Sequence, residues 1–507
     1  MSATRPFWLA ATALILISLV PFFLVDVPAV SDYPNHLARI FILAHPDDPV
    51  LSKFYAPHWT ILPNLGFDLL GVGLLKILPV HVGGRILLAM SLIAPVLGVL
   101  VYARAAFGNQ SMWPLASVLT AFNGIFFLGF LNFLLSVGLA FAAAGAWLFL
   151  RRAGRDGACL LMGGLSSALL FLCHIFGLAL FALLILCQEL ARRREDGAAD
   201  ARARGLVLIA GALVPAILLY LLSPLAGHES AIQGWDGKHK LWGLFIPFMT
   251  TSKTLTLVTA FAVFSLLILR WRQSLFAPGT RPALIVLAVL YVVAPVTFKG
   301  GTLIDIRLSL MMGLLLFAGI DPQLTASWRK WGMATVAFLV ALRSLTTGLA
   351  WYDHRRDLAD LRATLARIPA GALVLSGWGA NAETDAAAPA RNLPDVARLD
   401  GHLGALMVIE RKAFWPHLFA DPSQQPLALR PPFDRIADPF GDPPAWKQLL
   451  LQISSAAGPA KLQPQTALSL GDFHYVLLID RPQSVKPPPN FSPVRVGSYA
   501  ALWRLAP

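Results

Sequence analysis

Long apolar runs that alternate with short basic loops constrain the fold of this chain more than any other feature. The first run covers residues 7–25, and similar runs recur as far as residue 351. Only 14% of the 507 residues are charged, whereas a soluble domain averages about 25%. Because apolar stretches of this length need lipid around them, the pattern predicts a polytopic α-helical membrane protein.

The distribution of charge indicates the topology. The net charge is +13, and the arginine clusters lie in loops between apolar runs, at residues 151–155, 192–204, 270–272 and 329–330. Cytoplasmic loops carry such an excess of Lys and Arg, so the basic charge favours a membrane topology over nucleic-acid binding. We therefore expect membrane lipid as a partner and no nucleic acid.

The apolar runs predict about eleven transmembrane helices with a cytoplasmic N-terminus. They cover residues 7–25, 86–103, 112–150 (two helices turning near 129–132), 158–190 (two helices turning near His174), 206–222, 255–269, 283–298, 308–320 and 331–351. Residues 62–80 are also apolar but contain Asp68 and Lys76. Counting them as a span would place every arginine cluster outside, so we predict an interfacial or re-entrant helix on the outer side.

The composition predicts two domains. Residues 1–351 form the transmembrane domain, whose outer loop 26–84 carries juxtamembrane helices, and residues 352–507 form a small α/β soluble domain. In the latter we predict helices at 352–367 and 402–419 and strands at 372–375 and 475–479. It has no Gly-rich phosphate loop, no paired CxxC and no nucleophile elbow. The topology places the protein in a bacterial inner membrane with this domain in the periplasm.

The densest polar cluster, residues 31–39, lies just outside the first span. Pro34 suits the start of a helix, after which His36 and Arg39 share one face. A carboxylate at Asp32 can accept a proton from an acceptor hydroxyl or bind a divalent cation. The alternative is that Asp32 caps the helix while His36 and Arg39 face headgroups or water.

The outer loop at residues 224–254 carries a second group of candidates. Trp235 has carboxylate and basic neighbours, which suits sugar stacking, contact with lipid headgroups or a solvated loop. His228 and Glu229 would complete a metal site with Asp32 if this loop folds over the cavity.

Candidates for binding a phosphate lie near the later spans. A guanidinium matches phosphate oxygens in a fork, which favours Arg307, although an anchor to lipid headgroups is the alternative. Lys299 and Arg39 are weaker candidates for the same role. His174 lies in an apolar segment and needs a partner or a wet cavity, so it lines a site or is a satisfied turn residue.

These residues together resemble a known family. The stretch Asp-x-Pro-x-His-x-x-Arg at residues 32–39 is similar to the first outer loop of the GT-C superfamily of membrane glycosyltransferases. Residues 63–104 resemble their juxtamembrane helix and second span, residues 172–177 their histidine-bearing outer turn, and Asp-Ile-Arg at 305–307 a late outer loop. The resemblance covers most of residues 1–351, through layout more than through identity.

The resemblance implies transfer of a hexosyl or pentosyl group from a polyprenyl-phosphate donor to a glycan, lipid or protein acceptor on the outer face. Asp32 would be the base or metal ligand and His36 its support. The substrate would contact Arg39, His174, Trp235, Lys299, Asp305 and Arg307. This assignment requires Asp32 and Arg307 to face the same outer cavity.

The sequence departs from the family pattern in one respect. Many members carry two neighbouring acidic residues, whereas Asp32 has no acidic neighbour. Either Asp47 and Asp48 in the same loop substitute, or the reaction needs no metal, so a divalent cation remains an open cofactor.

Two other classes of function compete with the transferase. A lipid or glycan transporter, or a flippase, would place charged or broken segments near the bilayer midplane, often in inverted repeats. The polar residues instead gather at the predicted outer boundary, which favours interfacial chemistry. A non-catalytic envelope assembly protein is compatible with the C-terminal domain.

Overall fold

The computed structural model describes residues 4–108, 111–196, 199–227, 234–297, 301–379, 391–439, 443–445, 449, 472–480 and 490–505. The chain divides into two compact units. The first comprises Met1–Pro21, Ile61–Phe67 and Leu88–Thr347, and the second comprises Phe22–Thr60, Asp68–Leu87 and Gly348–Pro507. The second unit thus combines most of the predicted outer loop with the C-terminal region, and the predicted domain boundary at residue 351 stays a prediction.

Helices dominate the described part of the chain. They are α1 (Thr4–Leu19), α2 (Tyr33–Ala44), α3 (Gly66–Leu75), α4 (Val80–Phe107), α5 (Gly124–Leu128), α6 (Leu131–Arg152), α7 (Asp156–Cys173), α8 (Ile175–Asp196), α9 (Ala199–Leu222), α10 (Gly237–Gly243), α11 (Lys253–Arg270), α12 (Thr280–Val293), α13 (Ile304–Gly319), α14 (Ala326–Leu365) and α15 (Leu406–Arg411).

Seven helices within the described ranges are long and apolar enough to cross a membrane, and each coincides with a predicted span. They are Arg5–Phe23, Val80–Phe107, Leu131–Arg152, Asp156–Cys173, Ala203–Leu222, Lys253–Gln273 and Ala326–Leu365. The other four predicted spans are shorter helical segments: Trp113–Leu128, Ile175–Ala191, Thr280–Val293 and Ile304–Gly319. The polytopic helical fold is therefore confirmed, whereas the number eleven stays a prediction.

Turns lie where the sequence predicted them. Gly129 ends α5 with a φ of 91°, a left-handed conformation that glycine adopts without strain, and α6 starts two residues later. His174, between α7 and α8, has an extended backbone. Residues 62–80 contain only the short α3, which agrees with the prediction that this segment is not a full span.

Glycine allows two helices of the first unit to approach closely. A Cβ atom on Gly98 of α4 would lie 2.2 Å from the carbonyl oxygen of Gly138 on α6, and a Cβ on Gly138 would lie 2.3 Å from the Ala94 backbone. Small residues at such crossings let helix backbones pack together where lipid gives no hydrophobic driving force.

The last span and the predicted amphipathic helix at residues 352–367 are one element. Helix α14 runs without a break for 40 residues, which corresponds to about 60 Å at 1.5 Å per residue. That length is roughly twice the thickness of a bilayer's hydrocarbon core. The helix therefore extends beyond the apolar layer, and its final turns carry the charged residues that the sequence assigned to a separate helix.

The C-terminal region contains the predicted sheet. Strands β4 (Val374–Trp378), β8 (Tyr475–Ile479), β10 (Ala500–Leu505) and β9 (Phe491–Val496) form it in that order. Strand β4 pairs with β8 in parallel, with Val374 opposite Tyr475, and the other two pairings are antiparallel. Smaller pairs join β1 (Tyr55–Pro57) to β7 (Leu427–Leu429), β2 (Leu275–Phe276) to β3 (Ile320–Asp321), and β5 (Asn392–Leu393) to β6 (Ala397–Arg398).

The predicted helix at residues 402–419 is largely wrong. Only α15, preceded by a short 3-10 turn, is helical. Lys412 ends it with a φ of 53°, and Phe414 then forms a parallel bridge with Leu373. Pro416 cannot donate a helical hydrogen bond, so the apolar residues 413–419 pack as irregular chain.

Arg343 is a buried cation in the membrane-spanning part of α14. It is 2% exposed, and its guanidinium donates to the Phe248 carbonyl at 2.9 Å, to the Thr259 hydroxyl at 3.3 Å and to the Phe122 carbonyl. The two carbonyls belong to segments where regular helix is interrupted, so their oxygens have no helical donors. Arg343 supplies those donors.

Replacing Arg343 by methionine is expected to lower the free energy of unfolding by about 1–3 kcal/mol, because buried acceptors lose their donors. Thermal unfolding of the detergent-solubilised protein, followed by tryptophan fluorescence, measures the change. The matched control is Arg329→Met, at an exposed position near the start of the same helix. Equal stability of the two variants would contradict the assigned role of Arg343.

Candidate functional site

Asp32 lies where the chain turns into α2, in the second unit. It occupies the N-cap position, with proline in the first turn, but its side chain accepts no hydrogen bond from the N–H groups of the helix. Its Oδ1 instead lies 3.2 Å from Nδ1 of His402. The Asp32 side chain is 20% exposed and that of His402 is 4% exposed. The Asp32 carboxylate thus lies between the buried interior and the surface, and one of its oxygens lies beside the buried imidazole of His402.

The start of α2 is fixed by contacts with residues 417–419. The Asn35 side chain donates to the His417 carbonyl at 2.9 Å and accepts from the Phe419 N–H at 2.8 Å. The His36 ring meets the Phe419 ring edge-on, at 5.4 Å between centroids. These contacts hold the turn that carries Asp32, since Asn35 and His36 follow it within one helical turn.

Arg39 forms a fully buried ion pair. Its Nε and Nη2 donate to the two carboxylate oxygens of Asp68 at 2.8 and 2.9 Å, and both side chains are 0% exposed. Nη2 also lies 3.0 Å from Nδ1 of His36. Arg39, predicted as a substrate contact, and His36, predicted to support Asp32, are therefore joined to each other and to α3.

Asp47 and Asp48, the acidic residues considered as partners of Asp32, differ in their contacts and in their exposure. Asp48 accepts from Lys412 Nζ at 2.7 Å and from the N–H groups of Val50 and Leu51. Burial raises the pKa of Asp48, but these donors outweigh burial and the net pKa lies below its ordinary value. Asp47 is exposed. Oδ1 of Asp48 is thus occupied by N–H groups of its own turn, and Oδ2 is occupied by Lys412.

Arg307 lies at the start of α13 in the first unit, surrounded by aromatic rings. Its guanidinium carbon is 4.3 Å from the centroid of the Phe130 ring, 5.6 Å from that of Phe176 and 5.8 Å from that of Phe133. Nη1 lies 3.1 Å from Nε2 of His174, and Nη2 donates to the carbonyl of residue 302 at 3.0 Å. Arg307 is only 8% exposed.

His174 is a turn residue that also contacts Arg307. Its Nδ1 lies 3.2 Å from the Phe176 N–H and its Nε2 faces Arg307. A neutral imidazole has a single accepting nitrogen, so it accepts fully from one of these donors at a time. His174 is both a turn residue and a neighbour of the guanidinium.

Asp305 and Trp235 belong to a neighbouring cluster in the same unit. Lys240 Nζ lies 3.3 Å from Asp305 Oδ2 and donates to the carbonyls of Tyr291 and Ala294 at 2.9 and 2.8 Å. The same ammonium is 5.8 Å from the Trp235 ring centroid. Asp305 is fully buried, whereas Trp235 is 61% exposed and its indole N–H donates to a helix-end carbonyl. The ring of Trp235 is therefore accessible at the protein surface, whereas the buried carboxylate of Asp305 is paired with Lys240.

Three predicted site residues, Lys299, His228 and Glu229, lie outside the described residues. Within the described ranges, no group of three or more His, Cys, Asp or Glu side chains is arranged to hold a metal ion. Asp32 and His402 alone do not form the oxygen-rich set that Mg²⁺ or Ca²⁺ prefers.

Comparison with known proteins gives a match among solved structures. No family model and no curated protein matches the sequence. Among solved structures, the crystal structure of ArnT from Cupriavidus metallidurans in the apo state is similar over 99% of this chain and 98% of that chain. The TM-score is 0.51 and the sequence identity 13%.

This chain therefore has an ArnT-like fold, the GT-C fold. The sequence motifs that resembled that superfamily therefore lie in a matching architecture. Within this GT-C fold, the described candidates form two groups: Asp32, His36 and Arg39 in the second unit, and His174, Trp235, Asp305 and Arg307 in the first. The requirement that Asp32 and Arg307 face one cavity stays a prediction.

The structure also places two residues, His402 and Asp68, beside the candidate residues, and the sequence analysis did not predict either contact. His402 lies 370 positions after Asp32 in a segment with no motif, so no local signal marked it. Asp68 carried a signal: a carboxylate inside an apolar segment needs a partner, and Arg39 was the basic residue in the preceding outer helix. The rings of Phe130, Phe133 and Phe176 around Arg307 were not predicted as its neighbours.

Proposed function

We propose that this protein is a membrane glycosyltransferase that moves a sugar from a polyprenyl-phosphate donor to an envelope acceptor on the outer face of a bacterial inner membrane. The observation that carries the proposal is the GT-C fold, which extends over nearly the whole chain and includes the C-terminal region. In this proposal the N-terminus is cytoplasmic and the C-terminal region periplasmic, as the positive-inside rule predicts.

The proposed chemistry is a direct displacement at the anomeric carbon. The acceptor hydroxyl oxygen forms a bond to that carbon while the bond to the phosphate oxygen breaks, which inverts the configuration. The hydroxyl proton passes to Asp32, whose carboxylate is partly exposed and accepts no helix-capping hydrogen bond.

Arg307 is the proposed contact for the leaving polyprenyl phosphate. A guanidinium remains charged and offers paired donors that match phosphate oxygens. The surrounding phenylalanine rings exclude water, and a guanidinium–phosphate attraction is stronger in such an environment. Trp235, with its exposed ring, is the candidate for stacking on a sugar.

The decisive experiment is reconstitution of the full chain in liposomes with polyprenyl-phosphate pentoses and hexoses and with isolated envelope lipids and glycans. The expected result is an acceptor whose mass increases by one sugar, with release of polyprenyl phosphate, measured by mass spectrometry. Empty liposomes are the control. Redistribution of the donor lipid across the bilayer without loss of sugar would replace the transferase by a flippase.

A further inference from the structure

The segment from His402 to Phe419 packs on the turn that carries Asp32. Its backbone bonds both ends of the Asn35 amide, and the Phe419 ring lies between two imidazoles, 5.4 Å from that of His36 and 5.2 Å from that of His402. All these residues belong to the second unit. The C-terminal region thus supplies one wall of the surroundings of Asp32.

The orientation of His402 is fixed by aromatic neighbours. Its ring meets Phe419 at an interplanar angle of 89° and Trp415 at 74°, with 6.1 Å between the His402 and Trp415 centroids. Trp415 is itself held, because its indole N–H donates to Ser376 Oγ of β4 at 2.7 Å. A continuous set of packed groups therefore runs from the sheet through Trp415 to His402.

His402 approaches Asp32 from the buried side. The Nδ1 to Oδ1 distance of 3.2 Å is within ion-pair range, although the N–H is not aligned as a linear hydrogen bond. Catalytic hydrogen bonds are often poorly aligned in the free enzyme and tighten when substrate binds. Because Oδ1 of Asp32 lies beside this ring, Oδ2 is the oxygen that accepts the proton of the acceptor hydroxyl.

We propose that His402 is a positioning residue for Asp32, so that the C-terminal region is an integral part of the transferase site. The assignment rests on the proposed function. Nδ1 of His402 lies beside one oxygen of Asp32, and when substrate binds it donates a hydrogen bond to that oxygen and fixes the rotamer of the carboxylate. It touches no substrate itself.

Two substitutions at His402 test this role. His402→Leu removes the donor and is expected to lower kcat by about 10- to 100-fold, the usual effect of losing a hydrogen bond to a charged group, with KM unchanged. His402→Asn places an amide N–H near the position of Nδ1 and is expected to restore most of kcat. A purely structural histidine would give equal losses in both variants, and that result would overturn the proposal.

The matched control is His354, whose Nδ1 lies 3.6 Å from Asp357 Oδ2 and whose side chain is 0% exposed. His354→Leu removes a buried histidine beside a carboxylate in the same unit. It is expected to lower thermal stability as His402→Leu does, but to leave kcat at the wild-type value. Loss of kcat in both leucine variants to the same extent would contradict a specific role for His402.

The double variant Asp32→Asn/His402→Leu separates failure of this proposal from failure of the proposed function. If His402 acts through Asp32, the double variant has the residual rate of Asp32→Asn alone. A further loss would show an independent role and overturn the positioning assignment only. If His402→Leu were fully active while Asp32→Asn was inactive, the positioning assignment alone would again be overturned. Full activity in Asp32→Asn, or no transfer by the wild type, would remove the proposed base or function, and the assignment with it.

Discussion

Replacing Asp32 by asparagine is expected to lower the rate of sugar transfer by about 10²- to 10⁴-fold, the range that a positioned general base contributes. Asparagine keeps the size of the side chain and can still contact His402, but it cannot accept the proton of the acceptor hydroxyl. Because the Asp32 side chain is partly exposed and makes no capping bond, the variant is expected to fold normally. Steady-state transfer by reconstituted protein measures the effect.

The matched control is Asp353→Asn, which neutralises an exposed carboxylate on α14 in the same unit and is expected to keep the wild-type rate. Asp47→Asn is a second comparison, since Asp47 was an alternative acidic partner of Asp32. Wild-type transfer by Asp32→Asn would exclude Asp32 as the base. If Asp47→Asn lowered the transfer rate as much as Asp32→Asn, the result would favour a metal ion shared by the two carboxylates over a single carboxylate base.

Replacing Asp68 by leucine is expected to lower the free energy of unfolding by about 3–5 kcal/mol, because the Arg39 guanidinium would remain buried without its counterion. Both side chains are 0% exposed, so no solvent reaches the orphaned charge. The double variant Arg39→Met/Asp68→Leu removes both charges and is expected to recover most of the loss, since an apolar pair of similar volume fits such a site. Thermal and denaturant unfolding in detergent measure the series.

The exposed pair Asp26–Arg362 gives the control for this cycle. Its side chains are 38% and 31% exposed at a separation of 2.6 Å, so Asp26→Asn, which leaves the Arg362–Glu410 pair in place, is expected to cost only about 0–1 kcal/mol. If the double variant at residues 39 and 68 were as unstable as Asp68→Leu alone, the buried pair would be stabilising by itself, and the desolvation argument would be wrong.

Most of the helical architecture was predictable because lipid imposes a simple rule. A segment that crosses the apolar layer must be apolar and must satisfy its backbone internally, so spans such as Leu131–Arg152 and Asp156–Cys173 are evident in the sequence. The turn at His174 was predictable for the same reason. The continuity of α14 was not, because a change in composition marks where a helix leaves the lipid and does not show where it ends.

The surroundings of the candidate residues were predictable only in part. Arg307 and His174 are 133 positions apart, and both were predicted at the outer ends of spans; their contact, which the sequence did not predict, is seen in the structure. The predicted helix over residues 402–419 failed because apolar periodicity does not separate a buried helix from buried irregular chain. With that segment misassigned, the approach of His402 to Asp32 could not be foreseen.

The sequence by itself determined that this chain is a polytopic membrane protein, where its turns lie, and that a polar cluster follows the first span, because these depend on local apolarity and charge. Only the tertiary structure shows which charged side chains form ion pairs and which carboxylate stays partly exposed to a substrate. Arg39 is bound to Asp68 and Asp48 to Lys412, while Asp32 faces His402 with a partly exposed carboxylate. Such pairings depend on contacts between distant segments, and no local pattern encodes them.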